Sequence, residues 1–344
     1  MPRSKQTRTK PLNLALQGGG SHGALTWGVL DRLLEDDRLA IRAISGTSAG
    51  AMNAVALADG MARGGRDGAR DSLHALWKAV SESARFSPVQ RSPLDRLTGN
   101  YSLDQSPGYL FLESMSRMFS PYELNPLGIN PLRGLLADLI DFDAVNGLTD
   151  LSVHVTATNV RTGKPKVFRR DEITVDALLA SACLPTMFQA VEIDGEAYWD
   201  GGYAGNPTIT PLVRESNATD TILVQINPRE RSDVPRTAAD ILNRVNEISF
   251  NSPLMKEIRM IALLRQVVDP GTGEGARWAR MRTHRIMTEK LAALGASSKL
   301  NAEWEFIEML HAEGRNAADQ FIAEHGDDVG KRSSADIDVL LAES

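Results

Sequence analysis

Ile41-Arg42-Ala43-Ile44-Ser45-Gly46-Thr47-Ser48-Ala49-Gly50-Ala51-Met52-Asn53-Ala54-Val55-Ala56-Leu57 is the stretch whose reading decides the fold. The apolar run ending at Ile44 reads as a strand and Ala51 to Leu57 as a helix, with Gly46-Thr47-Ser48-Ala49-Gly50 on a sharp turn between them. That is the form of a nucleophile elbow. Small residues on both sides let strand and helix approach closely, so the Ser48 side chain stands at the sheet edge with the helix amino end beneath it. The same pentapeptide also suits a plain glycine-rich turn, and its neighbours along the chain must decide.

Upstream, Leu12-Asn13-Leu14-Ala15-Leu16 is a short apolar strand, followed by Gln17-Gly18-Gly19-Gly20-Ser21-His22-Gly23 and a helical pattern from Ala24 to Leu34. Consecutive glycines free the backbone to turn several N–H groups toward one point, which is what an oxyanion requires. Gly18, Gly19, Gly20 and Ser21 are therefore the candidate oxyanion hole. Gly18-x-Gly20-x-x-Gly23 also fits a dinucleotide fingerprint, but Asp36 and Asp37 precede the second strand where an acidic residue should end it. No Gly-Lys-Ser or Gly-Lys-Thr closes a triphosphate loop. Downstream, Ala190 to Trp199 reads as two strands joined at Asp194-Gly195, delivering the chain to Asp200-Gly201-Gly202. Asp200 suits a turn before flexible glycines as well as a site.

In that order, the glycine loop, the serine elbow and the Asp-Gly-Gly tripeptide resemble the patatin-like phospholipase family, over roughly residues 12 to 226. Ala180-Ser181-Ala182-Cys183-Leu184-Pro185 is similar to the segment leading into the family's aspartate. The resemblance implies a three-layer α/β/α fold, Ser48 as nucleophile, Asp200 as its partner and Gly18 to Gly23 as the oxyanion loop, with Gly23, Gly46, Ala49, Gly50, Gly201 and Gly202 supporting the motifs. One departure is His22, which stands where family members usually carry Arg or Lys. Histidine titrates near about 6.5, so a contribution from His22 would vary with pH; packing of the loop is the alternative role.

A dyad suffices if the carboxylate itself takes the hydroxyl proton, and partial burial raises its pKa toward that task. Of the histidines His22, His74, His154, His284, His311 and His325, His154 lies in the alternation Leu151 to Ala157, and none follows the chain order of a triad. Cys183, the single cysteine, excludes an intrachain disulfide and reads as the buried end of a helix stopped by Pro185. No His, Cys or carboxylate set has metal-ligand spacing, and no cofactor is called for.

The 344 residues, 42% hydrophobic and 24% charged, are enough for one sizeable domain. Strands are expected near 12–17, 41–45, 151–158, 165–169, 190–199, 220–226 and 283–288. Helices are expected near 23–36, 49–63, 69–82, 105–119, 131–140, 174–182, 238–268 and 302–324. The alternation argues for an α/β fold with a mostly parallel sheet flanked by helices on both faces. Residues 1–10 read as a disordered basic arm and 11–325 as a single domain, with a helical carboxyl part at 238–325 and a loosely ordered tail at 326–344. Residues 83–130, punctuated by prolines and rich in Phe, Tyr and Met, read as an insertion, a candidate lid or acyl-chain wall.

The formal net charge of −6 gives no reason to expect nucleic acid. No signal segment or 18-residue apolar run is present, so the expectation is a cytoplasmic protein with at most transient contact with a membrane or lipid surface. Three functions are weighed: a serine acyl hydrolase of lipid esters, a catalytically silent lipid-binding or granule-surface protein, and a dinucleotide-binding oxidoreductase using Gly18–Gly23. The lipid ester and the oligomeric state stay open.

Overall fold

The central strands bury both faces over most of their length, so polar residues such as Asn13 and His154 are buried among the apolar ones. A computed structural model describes residues 9–231, 233–267, 272–335 and 337. In chain order the amino half runs β1 (Lys10–Leu16), α1 (Gly23–Leu34), β2 (Leu39–Thr47) and α2 (Ala49–Ala84), then the short helices α3 (Pro93–Thr98), α4 (Pro107–Met118), α5 (Pro121–Leu124), α6 (Leu132–Leu139) and α7 (Phe142–Asn146). There follow β3 (Ser152–Asn159), β4 (Pro165–Arg169), α8 (Val175–Ser181), β5 (Val191–Ile193), β6 (Glu196–Asp200), α9 (Thr210–Glu215) and β7 (Asp220–Val224). The carboxyl part is α10 (Ala238–Val267), α11 (Glu274–Arg280), β8 (Arg282–Ile286) and α12 (Trp304–His325).

The sheet order is β5-β6-β3-β2-β1-β7-β8, with β4 on β3. β3, β2, β1, β7 and β8 are parallel, and β4, β5 and β6 form antiparallel pairs. The chain leaves β1 for β2 on one side and reaches β7 on the other, so the strand order reverses at β1. A crevice opens at the carboxyl ends there. One face is packed by Leu14, Leu16, Ile44 and Val155 against α1, α2, α8 and α12, the other by Ala15, Ala43 and Leu223 against α9, α10 and α11. Each fully buried Leu or Ile in these layers contributes about 1.5–3 kcal/mol. The sheet is mixed but mostly parallel and is covered by helices on both faces, the class the alternation implies.

β3 does the long-range joining. β4 pairs with His154 to Thr158 along one edge of β3, and both β2 and β6 overlap that span, so they share the other edge. β2 runs along it as far as Thr47 opposite Thr156; β6 takes over at Asp200 opposite Ala157. Two adjacent β3 residues thus fix where the Ser48 turn and Asp200 fall.

Several elements depart from the sequence expectation. The helices expected at 49–63 and 69–82 are one run, α2, broken only at Gly64 and Gly65, where Gly65 has φ +61°. In 83–130 the helix expected near 105–119 is α4, α3 and α5 are helices not expected, and all three begin at a proline. Ser92, Ser106 and Ser120 precede Pro93, Pro107 and Pro121; Ser92 and Ser106 accept the N–H of Asp95 and Tyr109, Ser120 N–H and Oγ donate to Glu123, and each proline occupies a position whose N–H is not needed. The two strands expected over 190–199 do form a hairpin, β5–β6, turning at Asp194 and Gly195 as read from the sequence, both with positive φ. β1 begins at Lys10, whose Nζ donates to the Gly326 carbonyl at 2.7 Å. Beyond α12 the chain is docked: Gly330 N–H donates to Asp220, Ser334 and Ala335 N–H donate to the Thr283 carbonyl, and Ile337 is buried. Residues 1–8 of the arm, Asp269-Pro270-Gly271, and 338–344 of the tail lie outside the described residues.

Candidate active site

Ser48 sits at φ 53°, ψ −123°, a strained conformation for a residue with a side chain, between the last residue of β2 and the first of α2. The strain is held by neighbours. Ser48 N–H donates to Ser181 Oγ at 2.8 Å, and that hydroxyl donates to the Thr156 carbonyl at 2.6 Å. Ser181, on α8, therefore ties the elbow to β3. Thr47 Oγ1 donates to the Gly205 carbonyl at 2.7 Å, fastening the elbow to the turn that follows Asp200. A Cβ on Gly46 would meet the Gly50 carbonyl and one on Gly50 the Leu16 carbonyl, so neither position admits a side chain, and Ala49 between them is buried.

Asp200 ends β6. Its N–H donates to the Cys183 carbonyl at 2.7 Å, its carbonyl accepts from Thr158 Oγ1 at 2.8 Å, and its carboxylate accepts the Gly202 N–H at 2.7 Å. Gly201 lies so close to the Thr156 carbonyl, and Gly202 to the Phe250 ring, that neither position admits a side chain. Asp200 is 3% exposed. Burial pushes it up to about 6, while the Gly202 N–H and the Ser48 hydroxyl favour the charged form and pull the other way.

The glycine loop leans on the elbow: a Cβ on Gly18 would lie 2.6 Å from the Thr47 carbonyl and 2.8 Å from Ser48 Cβ. Of the four candidate donors, Gly18 is already engaged. Its N–H donates to Asn206 Oδ1 at 2.7 Å and its carbonyl accepts from Asn227 Nδ2 at 2.6 Å. The N–H groups of Gly19 and Gly20 have no acceptor among the described residues. Gly18 to Ser21, Ser48 and Asp200 line one pocket of about 290 Å³. The rest of its wall is largely apolar and includes Met52, Trp77, Leu132, Met187 and Phe188. Gly23 closes the loop against Ala49 and Trp77.

His22 is not a titratable group facing this pocket. It is 1% exposed, its Nε2 pairs with Ser298 Oγ at 2.8 Å, and burial, with Lys299 and Arg231 adding to it, lowers it to about 3. A neutral ring packed on Phe306 replaces the pH-dependent cation considered above. His154 is buried in β3 and lowered to about 4 by burial, and the Cys183 thiol is pushed up to about 12 by burial. Sequence reasoning missed Ser181, Asn206 and Asn227, which hold the elbow and the loop, and Lys299, which enters the pocket from the segment before α12. The elbow and loop residues that Ser181, Asn206 and Asn227 hold lie 133 to 209 residues away, a separation at which no local pattern carries a signal.

A family model described as patatin-like phospholipase matches residues 14–213. No curated protein matches the chain. Among solved structures it is similar to VipD from Legionella pneumophila at 15% identity, over 98% of this chain and 79% of that one, with a TM-score of 0.34.

Proposed function

The chain belongs to the patatin-like phospholipase family, and on that premise we propose that it is a serine acyl hydrolase of lipid esters working through a Ser48–Asp200 dyad. The observation that carries the reading is a partly exposed serine on a strained elbow sharing a pocket with a buried carboxyl group. A carboxyl group near about 6 is mostly ionised at pH 7 yet basic enough to accept a proton, which is the balance a general base needs.

In this mechanism Asp200 takes the Ser48 proton as Oγ bonds to the acyl carbon, and the carbonyl π pair moves onto oxygen. The N–H groups of Gly19 and Gly20, with Ser21 beside them and the α2 amino end below, hold that oxyanion. Removing one such donor typically costs about 10²–10³ in rate. Collapse breaks the acyl C–O bond and the proton on Asp200 passes to the departing alcohol. Water then gives its proton to Asp200 and adds to the acyl-enzyme; collapse frees the acid and returns the proton to Ser48. The apolar wall of Met52, Trp77, Met187 and Phe188 suits an acyl chain, so the substrate is a lipid ester drawn from a lipid surface by transient contact. No helix among the described residues is long and apolar enough to cross a membrane.

Ser48→Ala and Asp200→Asn should each lower turnover of a para-nitrophenyl ester at least a thousandfold while circular dichroism stays unchanged. Full turnover by either variant refutes the dyad. Loss of nothing in either, in a chain that hydrolyses no ester at all, favours the silent lipid-binding reading. The dinucleotide reading of Gly18–Gly23 has a physical objection, since Gly18 N–H is bonded to Asn206 and cannot reach a pyrophosphate.

A further inference from the structure

Lys299 belongs to a short turn, Ala296–Leu300, that packs on the glycine loop. Its Nζ donates to Asn227 Oδ1 at 2.8 Å, and the amide of the same Asn227 holds the Gly18 carbonyl. Gly20, at φ +59°, rests so closely on the Lys299 backbone carbonyl that a Cβ there would collide with it. The lysine lines the same pocket as Ser48, Asp200 and Gly18–Gly20.

That ammonium group is not neutralised by a contact. Among the described residues no carboxylate lies within ion-pair distance of Lys299; Glu247 acts on it through space, and Glu247 is itself clasped by Arg231 and Arg244. The titratable group on the loop, His22, is buried and neutral. A cation in a mostly apolar pocket, beside N–H groups without acceptors, is arranged for negative charge.

We propose that Lys299 is the cation of the oxyanion site, stabilising the charge that develops on the acyl carbonyl oxygen of any ester the pocket accepts, neutral or charged. The proposal rests on the Ser48–Asp200 reading. Its pH consequence follows from the groups around it: Arg231 and Glu247 on one side with Arg244 behind, His22 on the loop and Asp200 across the pocket. Burial, with a smaller push from Arg231 and an opposing pull from Glu247, lowers Lys299 to about 8. Turnover should therefore fall as pH rises through about 8, where the ammonium loses its proton, just as it falls on the acid side where Asp200 gains one.

The test is kcat and KM from pH 5 to 10 for wild type, Lys299→Gln and Lys299→Arg, on a neutral para-nitrophenyl ester and on an anionic phospholipid in mixed micelles. Gln keeps a donor for Asn227 and removes the charge. Lys299→Gln should lose ten- to a hundredfold in kcat on both substrates, with KM within about twofold and no fall near pH 8. Lys299→Arg should recover most of the loss and move the alkaline fall upward. An unchanged kcat and alkaline limb in Lys299→Gln overturns the proposal. So does a rise in KM confined to the phospholipid, which would make the lysine a head-group anchor, and so does equal loss in the Gln and Arg variants with lowered melting temperatures. Ser48→Ala measured alongside reads the dyad separately: its full turnover would sink that reading whatever Lys299 does.

Discussion

Asp200 is a carboxyl group withdrawn from water, and the folded state bears a cost whenever it ionises. The native group sits near about 6, above the ordinary value of 3.8, so the native state binds its proton more tightly than the unfolded chain. The stability this gives is fully present below the unfolded value and is lost as pH rises through about 6. The rise from 3.8 to about 6 corresponds to about 3 kcal/mol. Asp200→Asn can still accept the Gly202 N–H while carrying no charge. It should melt higher than wild type at pH 8, with the difference shrinking through pH 6 and vanishing near pH 4. Equal melting temperatures at pH 8, or a gap that widens toward acid, would show that the carboxyl group is not strained by burial. At the same scale, Ser48 keeps its positive φ because Ser181 accepts its N–H; the strain is maintained by a hydrogen bond from another helix.

Among the elements, β3 is a ruler that sets Thr47 and Asp200 against adjacent residues, and it carries no candidate site residue itself. α4 is the opposite case. Every one of its residues is at least partly exposed, with Leu110, Phe111 and Met118 bare. On α10, Ile241, Leu242, Val245 and Ile248 are exposed along the turns leading to Phe250, which lines the pocket. Gln189, next to the pocket residue Phe188, donates to the Asn125 carbonyl at 2.6 Å, which ties the 83–130 segment to the rim of the pocket. A lipid surface would cover such faces. Burying each large side chain there contributes about 1.5–3 kcal/mol. Phe111→Asp combined with Ile248→Asp should therefore lower the ratio of turnover on vesicle-borne ester to turnover on monomeric ester by tenfold or more. An unchanged ratio would mean that these faces do not meet lipid.

Across the whole molecule, what was legible in the sequence is what local chemistry determines. The glycine loop, the elbow and Asp-Gly-Gly are runs of small residues forced by close approach: Gly18 on Ser48 Cβ, Gly201 on the Thr156 carbonyl. The parallel strands are legible because both faces are buried. The Ser-Pro starts of α3 and α5 read in the sequence as interruptions, since proline ends a helix from within and begins one from the first turn, whereas α4 lies within the helix expected near 105–119. Ser181, Asn206, Asn227 and Lys299 were not legible, because each acts on a segment brought to it only by the finished sheet. Activation of the Ser48 hydroxyl by the Asp200 carboxyl group is read most directly by the rate of covalent labelling with a fluorophosphonate, followed by intact mass and peptide mapping. Wild type should give a single adduct on Ser48, forming faster as pH rises through about 6, and Asp200→Asn should be labelled at least a hundredfold more slowly. Labelling of Asp200→Asn at the wild-type rate, or an adduct on another residue, would contradict that activation.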